Sequence, residues 1–154
     1  FHPTDGHLYA CGLNGWQTAA QKDGCLQRLR PTGKPLDLPV ALRVVPDGLE
    51  LTFSRPLDRT AVEDPSHYKA AWWGYRWSKD YGSKRYKVSD PSQVGQDDVS
   101  VSAAKLSSDG RTIHLSLVGG MKPAMQMQVG YNVSASDGKK VTGMVTLTAH
   151  KTGK

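Results

Sequence analysis

Over most of the chain from Ala41 to Ala149, apolar and polar residues take turns with a period of two. Leu42 and Val44 lead into a Pro46-Asp-Gly48 turn, after which Leu49, Leu51 and Phe53 share one side of an extended segment while Glu50 and Thr52 take the other. Val99, Val101 and Ala103 run toward Ser107-Ser-Asp-Gly110, and Ile113, Leu115 and Leu117 then alternate with Thr112, His114 and Ser116. Met125, Met127, Val129, Tyr131 and Val133 repeat the pattern, and Ser136-Asp-Gly138 turns the chain into Val145, Leu147 and Ala149. A strand with alternate apolar residues buries one face, so these runs predict an all-β domain. Leu49, Leu51, Phe53, Ile113, Leu115, Leu117, Val129 and Tyr131 are expected in its core. The one helical signal is Asp58-Arg-Thr-Ala-Val-Glu-Asp-Pro65, where Thr60 and Glu63 have the spacing of a capping box.

The pattern is weaker before residue 39. His7 to Cys11 and Gly24 to Arg30 are short strand candidates, with Trp16 in the glycine-rich connection between them, and Pro31 to Pro39 carries three prolines. The segment 1–38 is therefore expected to be a small β-hairpin appendage with a proline-rich linker, followed by a β-sandwich over 39–154. Phe1-His-Pro-Thr-Asp-Gly6 reads as an interior turn after a preceding strand, as in a piece of a larger protein. Cys11 and Cys25 flank the turn signals Asn14-Gly15 and Asp23-Gly24, which bring them within reach of a disulfide and suggest a secreted or periplasmic protein; two buried free thiols are the alternative.

Composition supports this picture. Glycine and proline make up 16 and 9 of 154 residues, and no apolar run approaches the ~20 residues of a membrane-spanning helix. The net charge of +6 draws acidic partners of any kind, but the basic residues are scattered, so nucleic acid is not an expected partner. The five histidines have no metal-ligand spacing, and no cofactor loop or catalytic set is present, so no metal, cofactor or enzymatic activity is assigned to the chain. Met125 and Met127 are expected to face inward, which favours packing over copper(I) ligation for them and for Met121.

One stretch departs from the frame. Ala70 to Lys87 holds three of the four tryptophans, three of the six tyrosines and five basic residues, within an insertion spanning 72–98. Aromatic faces stack on sugar rings and also anchor protein interfaces, and arginine or lysine grips acidic or hydroxyl groups in either setting. Trp72, Trp73, Tyr75, Arg76, Trp77, Tyr81, Lys84, Arg85 and Tyr86 are therefore the candidate residues for binding a ligand or partner. Strict alternation puts Trp73, Tyr75 and Trp77 on one face and Trp72, Gly74 and Arg76 on the other. Three coplanar exposed rings would favour a polysaccharide, and a compact patch would favour protein docking.

Asp47-Gly-Leu-Glu-Leu-Thr-Phe-Ser-Arg-Pro-Leu-Asp58, Leu106-Ser-Ser-Asp-Gly-Arg-Thr-Ile-His-Leu115 and Ser136-Asp-Gly138 resemble bacterial Ig-like domains of the S-layer type over about residues 40 to 150. That resemblance implies an Ig-like β-sandwich scaffold, from which the long aromatic insertion departs. His2-Pro-Thr-Asp-Gly-His-Leu-Tyr9, Gly15-Trp16 and Asp23-Gly-Cys-Leu-Gln-Arg28 resemble the closing blade of a β-propeller. Together with Trp73-x-Tyr75-x-Trp77, the whole is similar to the region after the propeller in large secreted sorbosone-dehydrogenase-like, haem-binding proteins of planctomycetes and verrucomicrobia. The resemblance implies a non-catalytic accessory module that docks on an upstream propeller. A carbohydrate-binding module and a part of a sugar-oxidising dehydrogenase are the alternatives; the haem-attachment motif is absent from this sequence.

Overall fold

The computed structural model describes residues 1–12 and 24–152, in two compact units, Phe1–Pro35 and Leu36–Lys154. Trp16 and the Asn14-Gly15 turn lie outside the described residues. In the first unit β1 (Leu8–Gly12) and β2 (Cys25–Leu29) form an antiparallel ribbon, with Cys11 opposite Leu26 and Gly12 opposite Cys25. This register corrects the expected disulfide: Cys11 shares a face with Leu26, and Cys25, the next residue along β2, points to the other face. Both cysteines are exposed free thiols, neither bonded nor buried. The Cys25 sulfur lies over Gly12, 2.9 Å from where a β-carbon would stand.

The second unit is all-β. Strands β3 (Pro39–Val45), β4 (Gly48–Phe53), β5 (Tyr68–Trp73), β6 (Asp97–Val99), β7 (Val101–Leu106), β8 (Thr112–Leu117), β9 (Ala124–Ser134) and β10 (Lys140–Ala149) form two four-stranded antiparallel sheets, in the orders β10-β9-β5-β6 and β3-β4-β8-β7. Their inward residues belong to one apolar cluster, as expected for an Ig-like β-sandwich. Every residue of the expected core is in it, including Leu49, Leu51, Ile113, Leu115 and Val129 at 0 % exposure. Phe53 meets Tyr131 edge-on across the sheets, with ring centres 5.2 Å apart.

Local chemistry fixes the connections. Gly48 closes the β3–β4 turn where a β-carbon would come 1.9 Å from the Leu115 carbonyl oxygen, so no other residue fits without moving β8. The helical segment is a single turn, α1 (Arg59–Val62), and its N-cap is Asp58, whose carboxylate accepts the Ala61 N–H at 2.8 Å. The Thr60 to Glu63 capping box does not form, because Glu63 ends the turn and accepts the Leu106 amide and the Arg59 guanidinium instead. Val62 and Leu57 then close one end of the core.

Met125 is the exception to the predicted alternation. Leu147 pairs with Met127 and Ala149 with Ala124, so two residues of β10 are spanned by three in β9, a bulge that turns Met125 outward to 56 % exposure while Met127 stays buried.

Candidate functional site

The insertion begins where β5 runs past the edge of the sandwich. Tyr68, Ala70 and Trp72 point into the core, so Lys69, Ala71 and Trp73 point out. Gly74 then exchanges two backbone hydrogen bonds with Tyr86, at 2.7 and 2.9 Å, and the chain between them forms a protruding tongue. Beyond Tyr86 the Gly95 N–H reaches the Arg85 carbonyl and the Lys87 N–H reaches Gln93, so the segment 85–87 is the middle of three extended segments. Asp97, at the start of β6, locks this return: one carboxylate oxygen accepts the Val88 and Ser89 amides and the other the Ser89 hydroxyl. Burial pushes the Asp97 carboxyl up, but these hydrogen bonds outweigh it and hold it below the usual range.

This return covers Trp73. Its indole is 1 % exposed although it lies on the outer side of β5, because the Arg85 guanidinium sits on its ring at 4.0 Å from the centre. Arg85 is fixed in turn by donating to the Gln96 side-chain oxygen at 2.6 Å. The indole N–H of Trp73 has no partner in this dry layer. Trp72, 5 % exposed, is part of the sandwich core. Of the nine candidate residues, these two tryptophans therefore offer no face to a ligand.

The others form the tongue itself. Tyr75 leans on β9, its amide on the Met125 sulfur at 3.1 Å and its hydroxyl donating to the Gln126 side chain at 2.8 Å. The bulge that turned Met125 outward supplies this support. Arg76 lies over the Tyr86 ring, 4.7 Å from its centre, and its amide donates to the Ser83 hydroxyl. Gly82, at φ +85°, allows the turn at the tip. Trp77 and Tyr81 stand free there, 94 % and 100 % exposed. Beneath the tip is an open cleft of about 500 Å³ whose lining includes Arg76, Asp80, Tyr81, Ser83, Lys84 and Tyr86.

A second constellation, spread over three strands and unread in the sequence, lies on the outer face of the other sheet. Asp47 accepts the Ser116 hydroxyl at 2.9 Å and faces His114 Nε2 at 2.9 Å, while His114 Nδ1 is 3.6 Å from Glu50, itself paired with Arg43 at 2.8 Å. The His114 hydrogen bond, seconded by Ser116, holds the Asp47 carboxyl below the usual range, and Arg43 does the same for Glu50. Ser116 donates its proton to Asp47 rather than to His114, so the trio lacks the serine-to-histidine bond of a nucleophilic triad. Among the described residues no set of three or more His, Cys, Asp or Glu is placed to hold a metal ion, and no helix is long and apolar enough to cross a membrane.

No protein-family model, curated protein or solved structure matches this chain.

Proposed function

We propose that the chain is a non-catalytic β-sandwich module of a larger exported protein and that the tongue at 74–87 is its docking surface. The carrying observation is the division of labour among the aromatic residues: Trp73 is spent on anchoring the tongue, and Trp77 and Tyr81 are spent on nothing inside the molecule. Two large rings held in water cost solvation free energy unless a partner covers them, and tryptophan, tyrosine and arginine are preferred anchors of protein interfaces. A sugar platform would call for a longer row of free rings; Tyr75, the third candidate, is 38 % exposed and tied to β9. The resemblance noted in the sequence names the partner to try first, an upstream β-propeller of an exported redox protein.

The test is the interaction of the chain with that propeller, measured by biolayer interferometry, for the native chain and for Trp77→Ala/Tyr81→Ala. Binding that is lost in the double variant supports docking. Retardation of the native chain in plant or algal polysaccharide gels, lost in the same variant, would replace docking by carbohydrate binding. Dye reduction with aldoses by the chain alone would replace both by an oxidoreductase.

A further inference from the structure

The basic side chains of the tongue are gathered on one short segment, and among the described residues none of them is in an ion pair. Arg43, Arg55, Arg59 and Lys139 each lie against a carboxylate, whereas none of the ion pairs among the described residues includes Arg76, Lys79, Lys84 or Arg85. Residues 70–87 carry five basic side chains against the single carboxylate of Asp80. The Arg76 guanidinium lies over the Tyr86 ring, and none of the hydrogen bonds among the described residues uses its N–H groups. Arg76 and Lys84 both line the cleft, two cations against the one carboxylate of Asp80 there. A planar, fixed fork of donors with a second cation beside it is complementary to a carboxylate.

We propose that the tongue docks an acidic segment of a protein partner, a glutamate or aspartate entering the cleft at Arg76 and Lys84 while Trp77 and Tyr81 pack on its apolar neighbours. The proposal rests on the docking reading and adds the chemistry of the partner. A polyanion of sugars or nucleotides offers negative charge as well. Stacked recognition of either draws on successive free rings along a groove, and the tip has two. Long-range attraction between the net positive tongue and an acidic segment would also speed encounter, so binding should weaken as salt rises.

The experiment uses fluorescein-labelled poly-L-glutamate and, in parallel, labelled polygalacturonate, titrated by anisotropy with the native chain, with Arg76→Gln/Lys84→Gln, and with Lys69→Gln/Lys105→Gln. The last pair removes the same charge from exposed sites on the sandwich. Polyglutamate should bind the native chain and the Lys69/Lys105 variant alike, and the Arg76/Lys84 variant roughly tenfold or more weakly. Arg76→Lys, which keeps the charge but not the fork, should recover only part of the loss. Equal weakening in both double variants would reduce the effect to net charge and overturn the proposal. So would tighter binding of polygalacturonate than of polyglutamate, or no binding of polyglutamate at low salt. Circular dichroism confirms that each variant is folded. If the propeller binds the native chain and Arg76→Gln/Lys84→Gln equally but not Trp77→Ala/Tyr81→Ala, docking stands and its acidic chemistry fails. If the propeller never binds while polyglutamate still depends on Arg76 and Lys84, the docking reading fails and the carboxylate site stands.

Discussion

Arg55 and Arg85 are held in opposite ways. Arg55, in the sandwich, bridges Asp37 at 2.9 Å and Asp137 at 2.6 Å, and Lys139 closes on the same Asp37, so three segments far apart in sequence are tied by charges that cancel. Arg85, in the tongue, lies on an indole and donates to a neutral amide. In the first arrangement the charge is consumed by the fold. In the second the guanidinium contributes its flat face to packing and its charge remains available to solvent or to a partner. A similar contrast separates two pairs of aromatic rings: Phe53 and Tyr131 of the sandwich face each other, and Trp77 and Tyr81 of the tongue tip face water. Charges and rings satisfied by one another hold a shape, whereas the free rings of the tongue and its cations, unpaired among the described residues, are left available, as the proposed docking requires.

The strongest way to break this division is to remove a residue from each side of it. Phe53→Ala takes away a ring that is 1 % exposed and packed edge-on against Tyr131, and should destabilise the sandwich by about 3–5 kcal/mol in a urea titration. Trp73→Ala should cost less, about 2 kcal/mol, because the tongue can collapse onto the gap and the main core is left intact. Its more telling effect is local: faster hydrogen exchange at the Gly74 and Tyr86 amides, with core amides of β8 and β9 unchanged. Equal acceleration in all of these strands would mean that tongue and sandwich open as one unit.

Much of the sandwich was legible because period-two patterning reports directly on burial when strands have one wet face. Leu49 to Phe53 and Ile113 to Leu117 needed no other information. The errors came where a residue's environment depends on register between strands. Met125 follows the pattern perfectly within its own sequence, and only the extra residue opposite Leu147 to Ala149 turns it out. Cys11 and Cys25 are close in space as expected, and one step of pleat sends their sulfurs apart. In the tongue, the aromatic cluster was legible and its roles were not. Nothing local in Ala-Ala-Trp-Trp says that Trp73 will be covered by an arginine twelve positions on, since that contact follows from where the chain turns back. The Asp47, His114 and Ser116 group was hidden for the same reason, being assembled by the β4–β8 pairing and the turn before it.

Acid should test the charge network of the sandwich. The Asp47, Glu50 and Asp137 carboxyls are all held below the usual range in the folded chain, by hydrogen bonds first from His114, Arg43 and Arg55 respectively. A carboxylate depressed on folding contributes stability that is fully present above its unfolded pKa of about 4 and is lost as pH falls through its lower folded value. The urea midpoint should therefore drop as pH is lowered from about 5 to about 3. Asp47→Asn should flatten that drop, because one depressed carboxylate is gone, while Lys84→Gln should leave its slope unaltered. A midpoint independent of pH over this window would mean that the charge network of the sandwich adds nothing to its stability.

The smallest expected effect bears most directly on how the tongue is fastened. Arg85→Lys keeps the positive charge, but an ammonium on a flexible stem does not reproduce a planar group lying on the Trp73 ring, nor the bond to Gln96 that holds it there. Stacking of this kind is worth about 0.5–2 kcal/mol, with the upper end reached only when water is excluded. Since Trp73 is dry on one side and Arg85 is exposed on the other, a loss of about 1 kcal/mol is expected, seen as faster amide exchange at Tyr86 and Gly95. A cycle built from Arg85→Lys, Trp73→Leu and the double variant isolates the pair, and its coupling should exceed that of the Arg43 and Glu50 ion pair measured in the same way, because an exposed ion pair is screened by solvent. Raised salt should weaken the second coupling more than the first. If the ordering were reversed, the tongue would be fastened by its backbone bonds to Tyr86 and by Asp97, and Arg85 would be free to turn outward and join Arg76 and Lys84 in receiving an acidic partner.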